Sequence, residues 1–228
     1  DKYGDERKTL IEESADEELN MEDLIKPEDD VITISLAGYI KRQPVEAYKT
    51  QRRGGKGVIG ATTKDEDSIK HLFVANTHSY LLIFTDKGKV HWLKVYQIPE
   101  AARISKGKPV INMISVEPDE KVQAVIPVKE FTDVHNLVFA TKKGLIKKTN
   151  LAEYSNPRKG GIIAINLNQG DEVIDVVLTD GQQKIMLASK DGKAVKFHEK
   201  DARPVGRGSF GVRGIRLEKN DSVMGMIV

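Results

Sequence analysis

The chain has 228 residues, of which 39% are hydrophobic and 31% are charged, a composition too apolar for a disordered chain. It carries no apolar run near the roughly 18 residues that a membrane span needs, and it has no cysteine for a disulfide framework or a thiolate metal site. Since no basic-plus-apolar segment at its beginning suggests secretion, we expect a soluble, cytoplasmic protein.

Charge is distributed unevenly along the chain. Residues 1–30 hold thirteen acidic and four basic residues, whereas the other 198 residues carry 32 basic and 21 acidic ones. A basic body behind an acidic lead indicates a polyanion binder, although a solvated surface reaches the same total without a ligand. We expect residues 1–30 to form a short helical segment followed by a linker, and the helical segment to end before Pro27. This lead is either a solvated linker or a competitor for the basic body.

From residue 31 onward, short β-branched runs repeat in four units, at about 31–79, 80–135, 136–182 and 183–228. Each unit begins with a glycine turn that joins an apolar strand to a basic one, which predicts a hairpin. These turn glycines are Gly38, Gly88, Gly144 and Gly192. A second glycine follows 17 or 19 residues later, at Gly57, Gly107, Gly161 and Gly211.

After the second glycine, each unit continues with an apolar strand, an acidic turn and a last strand. The first of these strands is predicted at 58–59, 110–116, 162–167 and 212–217. The last strand is predicted at 69–75, 122–128, 173–178 and 223–228. About four strands per unit form a sheet too small to bury its own faces, so the sequence predicts an all-β, propeller-like array of about four blades.

The other side chains that could carry out chemistry do not cluster in one predicted site. Five aromatic residues fall within predicted strands, where we expect them to pack in the core rather than to stack on bases: Phe73, Phe84, Trp92, Phe139 and Phe197. The five histidines are dispersed and the carboxylates gather in turns. We therefore expect neither a metal site nor a catalytic carboxylate pair.

The sharpest local motif is a heptad with three cations and three glycines between two strands: Gln51, Arg52, Arg53, Gly54, Gly55, Lys56 and Gly57. Glycines let a backbone approach a surface closely, and the forked donors of arginine suit phosphate. The spacing is not that of a nucleotide P-loop. A solvated basic turn is the plainer alternative.

Diluted copies of the heptad stand at 105–108, 157–161 and 207–211, so a ring of basic loops could follow a rod-like polyanion. Further candidate phosphate contacts lie in these loops and in the strands after the glycine turns. They are Lys41, Arg42, Lys106, Lys108, Lys147, Lys148, Arg158, Lys159, Arg203, Arg207 and Arg213.

The heptad resembles the signature box of the DNA gyrase A-subunit family, and residues 38–42, 2–9 and 22–25 are similar to the segments that precede it in that family. The resemblance implies a β-pinwheel, in which neighbouring blades exchange a strand. It also implies a basic rim that wraps double-stranded DNA with positive writhe and directs ATP-dependent negative supercoiling. Family members commonly have six blades, and this chain shows four units.

The family's catalytic tyrosine belongs to a domain upstream of this region and follows an arginine. None of the six tyrosines here does so, and we expect no catalysis from this chain. The resemblance implies an A2B2 assembly with the rest of the gyrase A protein and with the gyrase B protein. ATP and magnesium would bind to the B protein and the catalytic domain, and this chain would carry no cofactor. Two rival hypotheses are the C-terminal domain of the topoisomerase IV A protein and a propeller that serves as a protein-interaction platform.

Overall fold

The computed structural model describes residues 21–48, 67–102 and 105–228, and within them the chain is built of short antiparallel strands. These strands, β1 to β15 in chain order, are Asp29–Ser35, Tyr39–Pro44, Ile69–Asn76, Tyr80–Thr85, Lys89–Lys94, Lys108–Pro109, Val122–Val128, Asn136–Thr141, Leu145–Asn150, Ile162–Ile163, Val173–Thr179, Lys184–Ser189, Ala194–His198, Val212–Arg213 and Val223–Ile227. The helical turns between them are 3-10 turns, at Met21–Leu24, Val45–Ala47, Val95–Gln97, Val110–Asn112, Leu151–Tyr154 and Glu199–Asp201. No helix of this described part is long and apolar enough to cross a membrane.

The strands form four sheets, one for each predicted unit, which confirms the all-β, propeller-like fold. The sheet orders are β3-β1-β2-β6, β7-β4-β5-β10, β11-β8-β9-β14 and β15-β12-β13. The first three sheets have four strands, and the fourth has three among the described residues.

Neighbouring units exchange a strand. The two-residue strand β6 lies in the second unit of the sequence but pairs with β2 of the first sheet, through Tyr39 with Pro109 and Ile40 with Lys108. In the same way β10 pairs with β5, and β14 pairs with β9. The strand predicted at 58–59 lies outside the described residues. The sequence predicted longer strands at 110–116, 162–167 and 212–217, and that was wrong. These segments are paired over two residues only, because each adds to the edge of another unit's sheet before it turns away.

The core lies between the sheets, in three clusters that each join one blade to the next. In β4, Leu82 and Phe84 face the third sheet, whereas Leu81 and Ile83 face the first. Successive residues of a strand point to opposite faces, so a strand of a blade between two others is buried on both faces. A third cluster joins the third and fourth sheets. Five aromatic residues pack in or against these clusters, as the sequence predicted: Phe73, Phe84, Trp92, Phe139 and Phe197.

The acidic turns brace the hairpin turns. Oδ1 of Asp67, Asp171 and Asp221 accepts the backbone N–H of Ala37, Lys143 and Asp191 respectively, at 2.9 to 3.1 Å. In the second unit Asp119 instead forms an ion pair of 3.0 Å with Lys87. The recurring carboxylates therefore have a structural role at one end of each sheet.

The last strands of consecutive units pack beside one another, β7 with β11 and β11 with β15. They form one edge of each sheet, and the exchanged strands form the other edge of the first three sheets. The basic loops, which lead into the exchanged strands, therefore lie along the outer edge of the blades.

Candidate nucleic-acid interface

The basic loops are seated on the neighbouring unit by their glycines. A Cβ on Gly161 would lie 2.6 Å from Cε1 of His91, and one on Gly211 would lie 2.7 Å from the carbonyl oxygen of Ile146. A Cβ on Gly107 would also lie too close to the Ile40 carbonyl oxygen, and Gly107 has a positive φ of 84°. Only glycine permits this approach, so the spacing of glycines in the sequence fixes where each loop meets the strand that carries it.

The structure exposes six of the predicted cations on these loops and exchanged strands. They are Lys106, Lys108, Arg158, Lys159, Arg203 and Arg213. Arg207 is partly exposed and donates from Nη1 to the Glu153 carbonyl oxygen at 3.4 Å. Cations therefore recur at the same place on three successive units, which is the arrangement that a polyanion lying along the rim requires.

Four other predicted contacts are bonded to groups within the protein, three of them buried and Arg42 partly buried, and we remove them from the set of phosphate contacts. Lys41, Lys147 and Lys148 are buried, and their ammonium groups donate to backbone carbonyls. Arg42 pairs with the buried carboxylate of Asp30 at 2.8 Å and donates from Nε to the Ile98 carbonyl at 2.7 Å. Sequence alone could not separate these cations from the exposed ones, because no local pattern shows that neighbouring blades cover both faces of the strands that carry them.

Burial changes the acidity of two of these lysines. It lowers the pKa of Lys41, and it lowers the pKa of Lys147 to about 8, with the nearby Arg207 guanidinium adding to the effect. Both ammonium groups face carbonyl oxygens rather than solvent.

A recurring donor between units escaped the sequence analysis. At the fourth position of the strand after each glycine turn, the side chain donates to the 3-10 turn of the next unit. Nε of Arg42, Nε1 of Trp92 and Nζ of Lys148 reach the carbonyl oxygens of Ile98, Tyr154 and Glu199, at 2.7, 2.9 and 2.7 Å. The sequence signal for this contact is the shared position in the repeat, but it is hard to recognise because the three units use an arginine, a tryptophan and a lysine there.

The heptad Gln51–Gly57 lies outside the described residues, so its role as a DNA contact stays a prediction.

The four sheets coincide with four matches to a family model described as DNA gyrase C-terminal domain, beta-propeller, at residues 29–76, 79–129, 135–180 and 183–228. The chain belongs to this family. Among curated relatives, the DNA gyrase A protein of Salmonella typhimurium is 49% identical over 229 residues, covering 100% of this chain. That of Clostridium acetobutylicum is 49% identical over 213 residues, covering 93%. The chain spans 26% of the length of each of these relatives.

Two solved structures share the fold. The C-terminal domain of DNA topoisomerase IV matches with a TM-score of 0.77 and 30% identity, over 89% of this chain and 61% of that one. A DNA gyrase A C-terminal domain matches with a TM-score of 0.64 and 29% identity, over 87% of this chain and 64% of that one. The fold is therefore common to both kinds of topoisomerase, whereas the two relatives above are gyrase proteins.

Proposed function

We propose that this region binds double-stranded DNA without sequence specificity and wraps it with positive writhe along the outer edge of the blades. The observation that carries the proposal is the recurrence of exposed cations on the loops that lead into the exchanged strands, at equivalent places in three units. Side chains that contact phosphates position a duplex but read little of its sequence. Bendable sequences would be favoured indirectly, through the cost of deforming the duplex.

Within a gyrase, the wrapped duplex would direct ATP-dependent negative supercoiling. This region would act there with the rest of the gyrase A protein and with the gyrase B protein, in an A2B2 assembly in the cytoplasm. ATP and magnesium would be held by the B protein and the catalytic domain. The region itself would bind DNA without catalysing any step and without a cofactor.

The heptad would anchor one end of the track. Arg52, Arg53 and Lys56 would contact successive phosphates, and the glycines between and beside them would let the backbone approach. The exposed loops of the following units would continue the track with fewer cations each.

A topology assay tests the proposal. The chain is bound to a nicked circular DNA, the nick is ligated, the protein is removed and the linking number is measured. We expect a positive shift with the wild type. The shift should be lost in a triple variant of the heptad (Arg52→Ala, Arg53→Ala, Lys56→Ala) and reduced in a triple variant of the described rim (Arg158→Ala, Lys159→Ala, Arg213→Ala).

A charge-matched control removes three exposed lysines of the hairpin turns instead (Lys87→Ala, Lys142→Ala, Lys190→Ala). It should keep the shift, because two of these lysines already pair with carboxylates of the acidic turns. Binding without a shift would refute wrapping. An affinity that does not depend on salt would refute the phosphate track and favour a protein-interaction platform.

A further inference from the structure

Lys147 in β9 reaches across a blade boundary to the basic loop of the fourth unit. Its Nζ donates to the Arg207 carbonyl oxygen in that loop and, at 2.7 Å, to the Ala164 carbonyl oxygen. The residue is 1% exposed. We propose that Lys147, and Lys41 at the equivalent position of the first unit, are positioning residues that clamp the backbone of the next unit's basic loop and so fix where its exposed cations stand.

The first and second units repeat the arrangement. Lys41 in β2 is 3% exposed, and its Nζ donates to the carbonyl oxygens of Ser105 at 2.9 Å and Ala102 at 3.4 Å, both in the loop that leads into β6. Lys41 and Lys147 occupy the same place, three residues after the turn glycine. Because two blade boundaries share the donor, the position and the kind of acceptor, the contact belongs to the repeat and not to one site.

The chemistry of the contact explains why a lysine is buried there. Taking an ammonium group out of water is costly, and no carboxylate among the described residues pairs with Nζ of Lys147; backbone carbonyls accept instead. A charged donor strengthens such hydrogen bonds. Since the carbonyls turn inward to meet the ammonium group, the loop is held in one orientation, with Arg203 and Arg213 exposed on either side of Arg207.

The boundary between the second and third units lacks this clamp. The equivalent position holds His91, whose ring lies against Gly161 and whose buried Nε2 has no hydrogen-bond partner among the described residues. Nε2 lies 3.9 Å from Oε1 of Glu120, beyond hydrogen-bond distance. The loop that carries Arg158 and Lys159 therefore has no lysine clamp, and the clamped loops can be compared with it inside one molecule.

The clamp is tested by Lys147→Met, which keeps the length of the side chain and removes its donors. Lys148→Met is the matched control, because Lys148 is buried on the same strand but donates to the 3-10 turn at Glu199 and not to the basic loop. Lys190→Met controls for the loss of one exposed charge. Backbone hydrogen exchange of residues 207–211 is measured without DNA, and duplex affinity is measured separately.

We expect faster exchange of residues 207–211 in Lys147→Met only, with the loop at 157–161 unchanged in all three variants. The role in DNA binding rests on the proposed function. If it holds, Lys147→Met weakens duplex binding about fivefold, and by less than about twofold when Arg203, Arg207 and Arg213 are already alanine.

The outcomes separate the two claims. Unchanged exchange at 207–211 overturns the clamp, whatever the DNA result. Faster exchange together with unaltered affinity, or with equal losses in both backgrounds, overturns the positioning role. A wild type that does not bind duplex DNA refutes the proposed function, and the exchange measurement alone then decides whether the clamp exists.

Discussion

Arg213 and Phe210 lie three residues apart on the rim, and both are exposed, yet they would act on DNA through different forces. We expect Arg213→Ala to weaken duplex binding and to reduce the slope of log affinity against log salt by about 0.9, the value for one phosphate contact. Phe210→Ala should leave that slope unchanged, because a benzyl side chain releases no counterions. The measurement is a salt titration of both variants, and a flatter slope in Phe210→Ala would contradict the assignment.

Lys147 should also make the free energy of unfolding depend on pH above neutrality. Its folded pKa of about 8 lies below the usual value of 10.5, so between these values the unfolded chain binds more protons than the folded one. The unfolding free energy of the wild type should therefore rise between pH 8 and pH 10, relative to Lys147→Met. Of the groups near Lys147, the Arg207 guanidinium lowers its pKa further and the Glu153 carboxylate opposes that lowering, and burial raises the pKa of Tyr154.

Denaturant unfolding of both proteins at pH 7, 8, 9 and 10 measures this difference. A constant difference would show that the ammonium group titrates no earlier than an exposed lysine.

At the scale of single elements, two equivalent hairpin turns allow the cost of backbone strain to be measured apart from the cost of a steric clash. Gly88 and Gly192 occupy equivalent turns with φ of 77° and 85°. A Cβ on Gly88 would lie 2.6 Å from the Ile165 carbonyl oxygen of the exchanged segment, whereas no described atom lies within 4 Å of one on Gly192. Gly192→Ala should cost about 1–2 kcal/mol, the cost of the left-handed conformation alone. Gly88→Ala should cost more, because the exchanged segment must also shift.

Thermal or denaturant unfolding of the two variants checks this expectation. Equal losses of unfolding free energy in the two variants would mean that the exchanged segment shifts to accommodate the added methyl group at no cost.

The glycine spacing explains how much of the fold was predictable. Gly38, Gly88, Gly144 and Gly192 all have positive φ at hairpin turns, as predicted, and the four last strands stand within a residue of their predicted ends. The lengths of the exchanged strands were not predictable. They depend on the edge of a neighbouring sheet, which no local pattern encodes.

The candidate site was predictable at its loops and not at its strands. Arg158 and Arg213 are exposed because they lie in or beside glycine-rich segments at the outer edge. Lys147 and Lys148 are adjacent in β9, so their side chains point to opposite faces of the strand, yet neighbouring blades cover both faces and backbone carbonyls accept their hydrogen bonds. A cation within a strand therefore indicates a surface only when one face of the sheet is known to be free.

At the scale of the whole molecule, charge and shape are arranged together. The acidic turns lie at the hairpin end of each sheet, where they accept backbone N–H groups, and the exposed cations lie on the loops along the outer edge. Carboxylates at the hairpin ends are thus already bonded and kept apart from the basic track. The lead, at residues 1–30, carries negative charge that does not belong to the repeated units.

The lead already contacts the body at its end, where Oε1 of Glu22 pairs with Nζ of Lys94 at 2.7 Å and Nε2 of His78 lies 2.8 Å from the Ile25 carbonyl oxygen. Residues 1–20 carry eight acidic and three basic side chains. If they compete with phosphates for the rim, deleting them should tighten duplex binding several-fold at low salt, and the gain should fade as salt screens the lead, with a Debye length of about 10 Å at 0.1 M. The matched control replaces the eight acidic residues by their amides and should reproduce the gain without shortening the chain. Equal affinities for the wild type, the deletion and the amide variant across the salt titration would show that the lead is only a linker.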